Sequence, residues 1–129
     1  SKNINNVDKP LNFIERGRYL VQIGHCSECH TPRNFLGGTK NKLFLAGTNT
    51  GIIEKNVSNI TPSIKYGIGD WSEEELIYLL KTGVKPDFDE VQGSMKNIID
   101  YGTKYLTDLD LLSISKYLKS IKAIERNIK

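Results

Sequence analysis

The sequence predicts a helical protein with a long irregular middle. Four segments carry apolar residues or end signals typical of helices: 12–23, 72–83, 96–102 and 107–121. Residues 31–70, between the first two segments, are rich in glycine and polar turn residues, which favours loops. With 129 residues, the length fits a single domain.

The first predicted helix runs from Asn12 to about Ile23. Asp8 and Pro10 stand before it, as a cap and a first-turn proline commonly do. Gly17 lies inside the segment, where glycine costs a helix about 1 kcal/mol relative to alanine. We therefore expect another helix to pass very close to Gly17, where a side chain would not fit.

The later helices carry clear end signals. Ser72 and Glu75 have the spacing of a capping box. Gly83 is typical of a C-terminal stop, and Thr107 is expected to cap the last helix.

Outside the helices we predict one hairpin and two tails. Residues 42–46 and 51–57 are expected to pair around a turn at 47–50. Residues 1–7 and 123–129 are polar or basic and are expected to be loose.

One stretch carries the chemistry: Cys26-Ser27-Glu28-Cys29-His30. The C-x-x-C-H spacing is the pattern that attaches a c-type haem. One helical turn can present both thiols on one face, and His30 beside the second thiol is placed to bind iron. The sequence predicts one haem c, covalently bound through Cys26 and Cys29, with His30 as an iron ligand.

Two other interpretations of the cysteine pair stay open. A redox dithiol expects a strand-helix-strand setting, and no parallel-sheet pattern surrounds this pair. A structural zinc site needs four ligands, whereas the chain has two cysteines and two histidines, all within residues 25–30. Composition favours haem, because a small domain that is only 38% hydrophobic gains an apolar core from a bound porphyrin.

Met95, the only methionine, is the candidate for the second iron ligand. A lone methionine is more often a core residue. This one lies on a Gly-Ser turn far downstream of His30, where a loop can reach the opposite face of a haem, and its thioether suits iron. His25 adjoins Cys26 and could not easily reach that face.

Four further residues are candidates for contact with the haem propionates. The indole N–H of the only tryptophan, Trp71, needs a partner when it is buried, and a propionate oxygen would serve. Arg33, Asn59 and Thr61 are polar enough to do the same. The alternative is an ordinary core, turn or surface role for each of them.

Net charge and hydropathy restrict the partners. Eighteen basic against fifteen acidic residues give a net charge of +3, too mild for nucleic acid but compatible with an acidic redox protein. The basic rim of such a docking site would be formed by Lys40, Lys42, Lys96 and Lys104.

No apolar run is long enough for a membrane span. Covalent haem attachment takes place outside the cytoplasm, so we expect a periplasmic protein whose signal peptide was removed before Ser1.

An ordered set of short motifs extends over most of the chain, from Glu15 to Ile121. They are Gly17-Arg18-Tyr19-Leu20, the stretch Cys26 to Arg33, Leu45-Ala46-Gly47, Asn59-Ile60-Thr61-Pro62, the stretch Gly67 to Ser72, Met95, the stretch Leu106 to Leu111, and Tyr117-Leu118-Lys119-Ser120. Together they resemble class I cytochromes c, and more narrowly the cytochrome modules of periplasmic and membrane-bound alcohol, sugar-acid and thiosulfate dehydrogenases. Such modules often occur as two or three haem domains in one chain. The single motif here suggests a free carrier or a small separate subunit.

The resemblance implies an all-α class I cytochrome c fold around one haem. In that fold the first and last helices cross, with Gly17 admitting a residue such as Tyr117 or Leu118. The resemblance also implies axial ligation by His30 and Met95 and one-electron transfer, rather than catalysis, between a dehydrogenase donor and an oxidase or cytochrome acceptor. A haem enzyme or gas sensor with an open distal site is the alternative.

Overall fold

The computed structural model describes residues 12–129, and within that range the protein is helical. Five α-helices are present: α1 (Asn12–Ile23), α2 (Cys26–His30), α3 (Glu73–Thr82), α4 (Gly93–Tyr101) and α5 (Asp108–Ser120). Two 3₁₀ helices cover Asn41–Leu43 and Thr103–Tyr105. β-structure in the described range is limited to isolated bridges, so the all-α class is confirmed. The expected cap at Asp8 and Pro10 and the tail 1–7 lie outside the described residues.

The described chain forms two compact units. Residues 12–20 and 71–117 form the first, called here the helical unit, and residues 21–70 and 118–129 form the second, the loop unit. The helical unit contains α3 and α4, and the loop unit contains α2. No helix in residues 12–129 has both the length and the apolar character that spanning a bilayer requires.

In the helical unit, α1 touches α5 at Gly17. A Cβ atom at Gly17 would lie 2.0 Å from the carbonyl oxygen of Ser113 and 2.7 Å from Cβ of Tyr117. Arg16 adds an ion pair to Asp110, with 3.1 Å between Nε and Oδ1. Any side chain at position 17 would therefore overlap the backbone of α5, which explains why this position is a glycine.

Helix α3 has the predicted ends. Ser72 Oγ accepts the N–H of Glu75 at 3.1 Å, and the Glu75 carboxylate accepts the N–H of Ser72 at 2.9 Å, so the capping box is confirmed. At the other end, Gly83 adopts a left-handed φ of 80°. Leu76 and Leu80 are the buried residues of this helix.

The Ser72 cap gives the first prediction. Ser72→Ala is expected to lower the free energy of unfolding by about 1 kcal/mol, because the Glu75 N–H loses its acceptor. Denaturant unfolding measures the change, and Ser72→Asp, which restores an acceptor, is the matched control. An unaltered midpoint for Ser72→Ala would contradict the prediction.

Helix α4 begins earlier than its sequence pattern predicted. It starts at Gly93 rather than at Lys96, so Met95 lies in the first turn of a helix and not on a preceding turn. Gly93, with a φ of 65°, provides the change of chain direction at this start. Helix α5 begins as predicted, since Thr107 Oγ1 accepts the N–H of Asp110 at 3.1 Å.

In the loop unit, the predicted hairpin is wrong in its extent. Thr48 and Val57 exchange both backbone hydrogen bonds at 2.9 Å, but this bridge is isolated. Residues 42–46 are not extended, because the 3₁₀ helix occupies their start and Leu45 has a left-handed φ of 60°. The chain turns at Leu45 and again at Gly47, whose φ is 81°, and a strand cannot contain such turns.

The segment 123–129, expected to be loose, is hydrogen-bonded in the loop unit. The side-chain amide of Asn59 donates to the carbonyl groups of Ile124 and Arg126. The hydroxyl of Ser63 donates to the Glu125 carboxylate at 2.7 Å. These contacts were not visible in the sequence, because the segment has no regular pattern of its own.

Candidate haem-attachment site

The C-x-x-C-H motif forms its own short helix. Helix α1 ends at Ile23, His25 takes left-handed angles (φ 58°, ψ 31°), and the chain then continues as α2 from Cys26 to His30. The left-handed residue His25 therefore separates the motif from α1. Helical geometry places Cys26 and Cys29, three positions apart, on the same side of α2.

Both thiols are free and half-buried. Burial raises the pKa of the Cys26 thiol; a backbone hydrogen bond opposes this shift and the neighbouring Cys29 adds to it. A redox dithiol depends on a cysteine whose pKa is lowered, so that the thiolate forms near neutral pH. The environment of Cys26 therefore disfavours the dithiol interpretation.

The ring of His30 is oriented by a backbone carbonyl. His30 Nδ1 lies 2.8 Å from the carbonyl oxygen of Ser58. A carbonyl can only accept, so Nδ1 carries the proton and donates it, and Nε2 keeps its lone pair. Burial lowers the pKa of His30 and the bond to Ser58 opposes that shift. A neutral imidazole with a free Nε2 is the form that binds metals, and a carbonyl partner for Nδ1 is the usual means of orienting it.

Backbone contacts hold the end of α2 against the middle of the loop unit. The N–H of Gly47 donates to the His30 carbonyl at 2.6 Å, and the N–H of Leu45 donates to Thr31 Oγ1 at 2.8 Å. The hydroxyl of Ser27 in turn donates to Thr31 Oγ1 at 2.9 Å. The role of Ser58 could not be predicted from the sequence, because it acts through its backbone carbonyl, which every residue has and which leaves no sequence signal.

The polar candidates for propionate contact have partners within the protein. Arg33 pairs with the Glu28 carboxylate at 2.6 Å and donates to the Gly37 carbonyl at 2.7 Å. Asn59 and Thr61 bond to each other and to the segment that follows α5. Trp71 is half-buried in the helical unit. A role for these four residues toward a propionate stays a prediction.

Met95 is half-buried in the first turn of α4. Met95 belongs to the helical unit, whereas His30 belongs to the loop unit. Ligation of iron by Met95 stays a prediction.

The donor atoms of α2 fit a covalently bound haem. Two free thiols share one helical face, and the adjacent histidine keeps an unprotonated Nε2, which is the donor set of a c-type haem. By contrast, residues 12–129 contain no group of three or more His, Cys, Asp or Glu side chains arranged to hold a metal ion. The zinc interpretation therefore lacks a ligand set in the described part of the chain.

Comparison with known proteins finds similar sequences among c-type cytochromes. No protein-family model matches the chain. The fructose dehydrogenase cytochrome subunit of Gluconobacter japonicus is 43% identical over 109 residues, which cover 84% of this chain and 22% of that protein. A diheme cytochrome c-type protein of Cereibacter sphaeroides is 42% identical, covering 86% of this chain and 36% of its own length. The cytochrome c subunit of the quinone alcohol dehydrogenase of Gluconobacter oxydans is 40% identical, covering 92% and 26%.

This chain is similar in sequence to dehydrogenase cytochrome c subunits over most of its length. The resemblance predicted from the ordered motifs is thereby confirmed. The chain spans only between 22% and 36% of the length of these relatives. Two of these relatives are named as cytochrome subunits of dehydrogenases, and the third as a diheme cytochrome c-type protein.

Proposed function

We propose that this protein is a periplasmic one-electron carrier with a single haem c. Cys26 and Cys29 would hold the haem through thioether bonds, and His30 and Met95 would bind its iron. The observation that carries the proposal is the geometry of α2, with two free thiols on one face and a histidine whose Nδ1–H is held by Ser58 at 2.8 Å. The periplasm is proposed because haem is attached covalently outside the cytoplasm.

The residues of the chain would attach the haem and limit its movement. When bound, the haem supplies a reversible one-electron change at iron, with a potential that a methionine ligand raises. Each cysteine thiol would hold the haem through one thioether bond, formed by addition of the S–H group to a vinyl group. His30 keeps one tautomer and one orientation because Ser58 holds its Nδ1 proton, which limits rearrangement between the two oxidation states.

The class I fold is part of the same proposal. It requires α1 and α5 to cross at a position where no side chain intervenes. The contact of Gly17 with Ser113 supports it, since a Cβ atom at Gly17 would come within 2.0 Å of the Ser113 oxygen. Contacts of Asn59, Thr61, Arg33 and Trp71 with the propionates also belong to the proposal.

The proposed donor is a dehydrogenase and the proposed acceptor is an oxidase or another cytochrome. The names of the homologues, which include fructose and alcohol dehydrogenase cytochrome subunits, support this class of partner. Lys40, Lys42 and Lys104 are exposed and are available for an acidic partner. Lys96 is instead paired with Asp100 at 2.6 Å, so its charge is already partly neutralised. Redox contacts of this kind are small and transient.

Met95→Ala tests the proposed iron ligation. The ferric protein is expected to show a methionine-to-iron charge-transfer band that is lost entirely in the variant, and the reduction potential should fall because the soft thioether is gone. An absorption spectrum and a redox titration measure the two effects. Ile98→Ala, at an exposed position of the same helix, should keep both properties.

Two results would contradict the proposal. A five-coordinate resting spectrum in the unaltered protein would favour an enzyme or gas sensor with an open distal site. Colourless protein from a strain that matures cytochromes c would show that the chain does not carry haem.

A further inference from the structure

The segment after α5 is anchored to buried polar side chains of the loop unit. Asn59 Nδ2 donates to the carbonyl oxygens of Ile124 at 2.8 Å and Arg126 at 3.0 Å. The N–H of Ile124 donates in return to Thr61 Oγ1 at 3.1 Å. Asn59 and Thr61 are only 4% and 0% exposed, so the bonds lie where water cannot readily replace them and their loss is costly.

Three more contacts extend the attachment along 123–129. The hydroxyl of Ser63, itself fully buried, donates to the Glu125 carboxylate at 2.7 Å. The N–H of Lys129 donates to Asn49 Oδ1 at 3.0 Å. Ile128 packs closely on Gly47: a Cβ atom added to Gly47 would lie 2.8 Å from Ile128 Cγ1. The segment is therefore held along most of its length.

These anchors adjoin the two backbone groups that hold His30. Asn59 directly follows Ser58, whose carbonyl accepts the Nδ1 proton of His30 at 2.8 Å. Gly47, which Ile128 covers, donates its N–H to the His30 carbonyl at 2.6 Å. The segment thus contacts Gly47 and the neighbour of Ser58, the two residues whose backbone groups bond to His30.

We propose that residues 123–129 are a positioning element for His30 and thereby set the reduction potential of the haem. The inference rests on the proposed function, because it treats His30 as the iron ligand. By fixing the loop at Asn59, the segment keeps the Ser58 carbonyl against Nδ1. A carbonyl that accepts this proton makes the imidazole a stronger electron donor. A stronger donor stabilises ferric iron more than ferrous iron and lowers the potential.

The experiment uses two variants of the haem-loaded protein. The first variant lacks residues 123–129. The second, Asn59→Ala, removes the two donors to Ile124 and Arg126 and the acceptor of the Thr61 N–H and hydroxyl, without changing the charge. It would also remove the propionate contact proposed for Asn59, but that loss alone would lower the potential, so a rise still reports on the positioning of His30. Both are expected to raise the midpoint potential in a redox titration. Both should also speed the solvent exchange of the His30 Nδ1 proton, measured by NMR in the reduced state, about tenfold, the equivalent of one lost hydrogen bond. Lys122→Arg, which keeps the charge at an exposed residue just before the segment, is the matched control and should change neither quantity.

The sign of the potential change separates positioning from simple loosening. Water entering near the haem, or the net loss of positive charge with the segment, would stabilise ferric iron and lower the potential, so a fall would overturn the inference. An unchanged potential and proton exchange would overturn it as well, while a normal His/Met spectrum would leave the proposed function standing. If the shortened chain does not fold, the midpoint potential and the Nδ1 proton exchange of Asn59→Ala test the inference instead. Absence of haem from the unaltered protein would defeat the proposed function, and the inference with it.

Discussion

Replacing both cysteines, Cys26→Ala with Cys29→Ala, is expected to abolish covalent haem attachment. Each thioether needs a sulfur atom, and these two are the only cysteines in the chain. Haem staining of a denaturing gel measures the result, because only covalently bound haem migrates with the polypeptide. The unaltered chain should stain and the double variant should not stain at all.

His25→Asn is the matched control for this experiment. His25 adjoins Cys26 but is exposed, and asparagine tolerates the left-handed angles found there. The control should keep its haem and its spectrum, which also tests whether His25 has any part in iron binding. Covalently attached haem in the double variant would refute the assignment of these thiols.

Gly17→Ala, which adds one methyl group to α1, is expected to lower the free energy of unfolding. The new Cβ atom would lie 2.0 Å from the Ser113 oxygen and 2.7 Å from Tyr117 Cβ, so α1 and α5 would have to move apart. Overpacking of this kind costs about 3 kcal/mol, which exceeds the roughly 1 kcal/mol that alanine gains over glycine in a helix. Denaturant unfolding should therefore show a net loss of about 2 kcal/mol.

Gln22→Ala provides the comparison for Gly17→Ala. Gln22 is exposed on the same helix, so its replacement is expected to change stability by about 0.5 kcal/mol or less. If Gly17→Ala were instead more stable than the unaltered protein, the contact between α1 and α5 would be refuted, since an unobstructed glycine gains stability on replacement by alanine.

The sequence by itself determined the local features of this protein. The bounds of α1, the capping box of Ser72 and Glu75, the stop at Gly83 and the helical form of the C-x-x-C-H motif were all predictable. Each of them depends on the type and spacing of residues within one or two turns of the chain. The donor set of two thiols and an imidazole was predictable for the same reason, since its members are neighbours in sequence.

Only the tertiary structure decided the contacts between distant segments. The predicted pairing of 42–46 with 51–57 does not form, because Leu45 has a left-handed φ. Leu45 is fully buried, and its N–H donates to Thr31 Oγ1. The attachment of 123–129 to Asn59 and the bond from His30 to Ser58 were equally invisible. Their acceptors are backbone carbonyls, which every residue carries. Which carbonyl reaches which side chain is therefore fixed by the path of the folded chain and not by residue type.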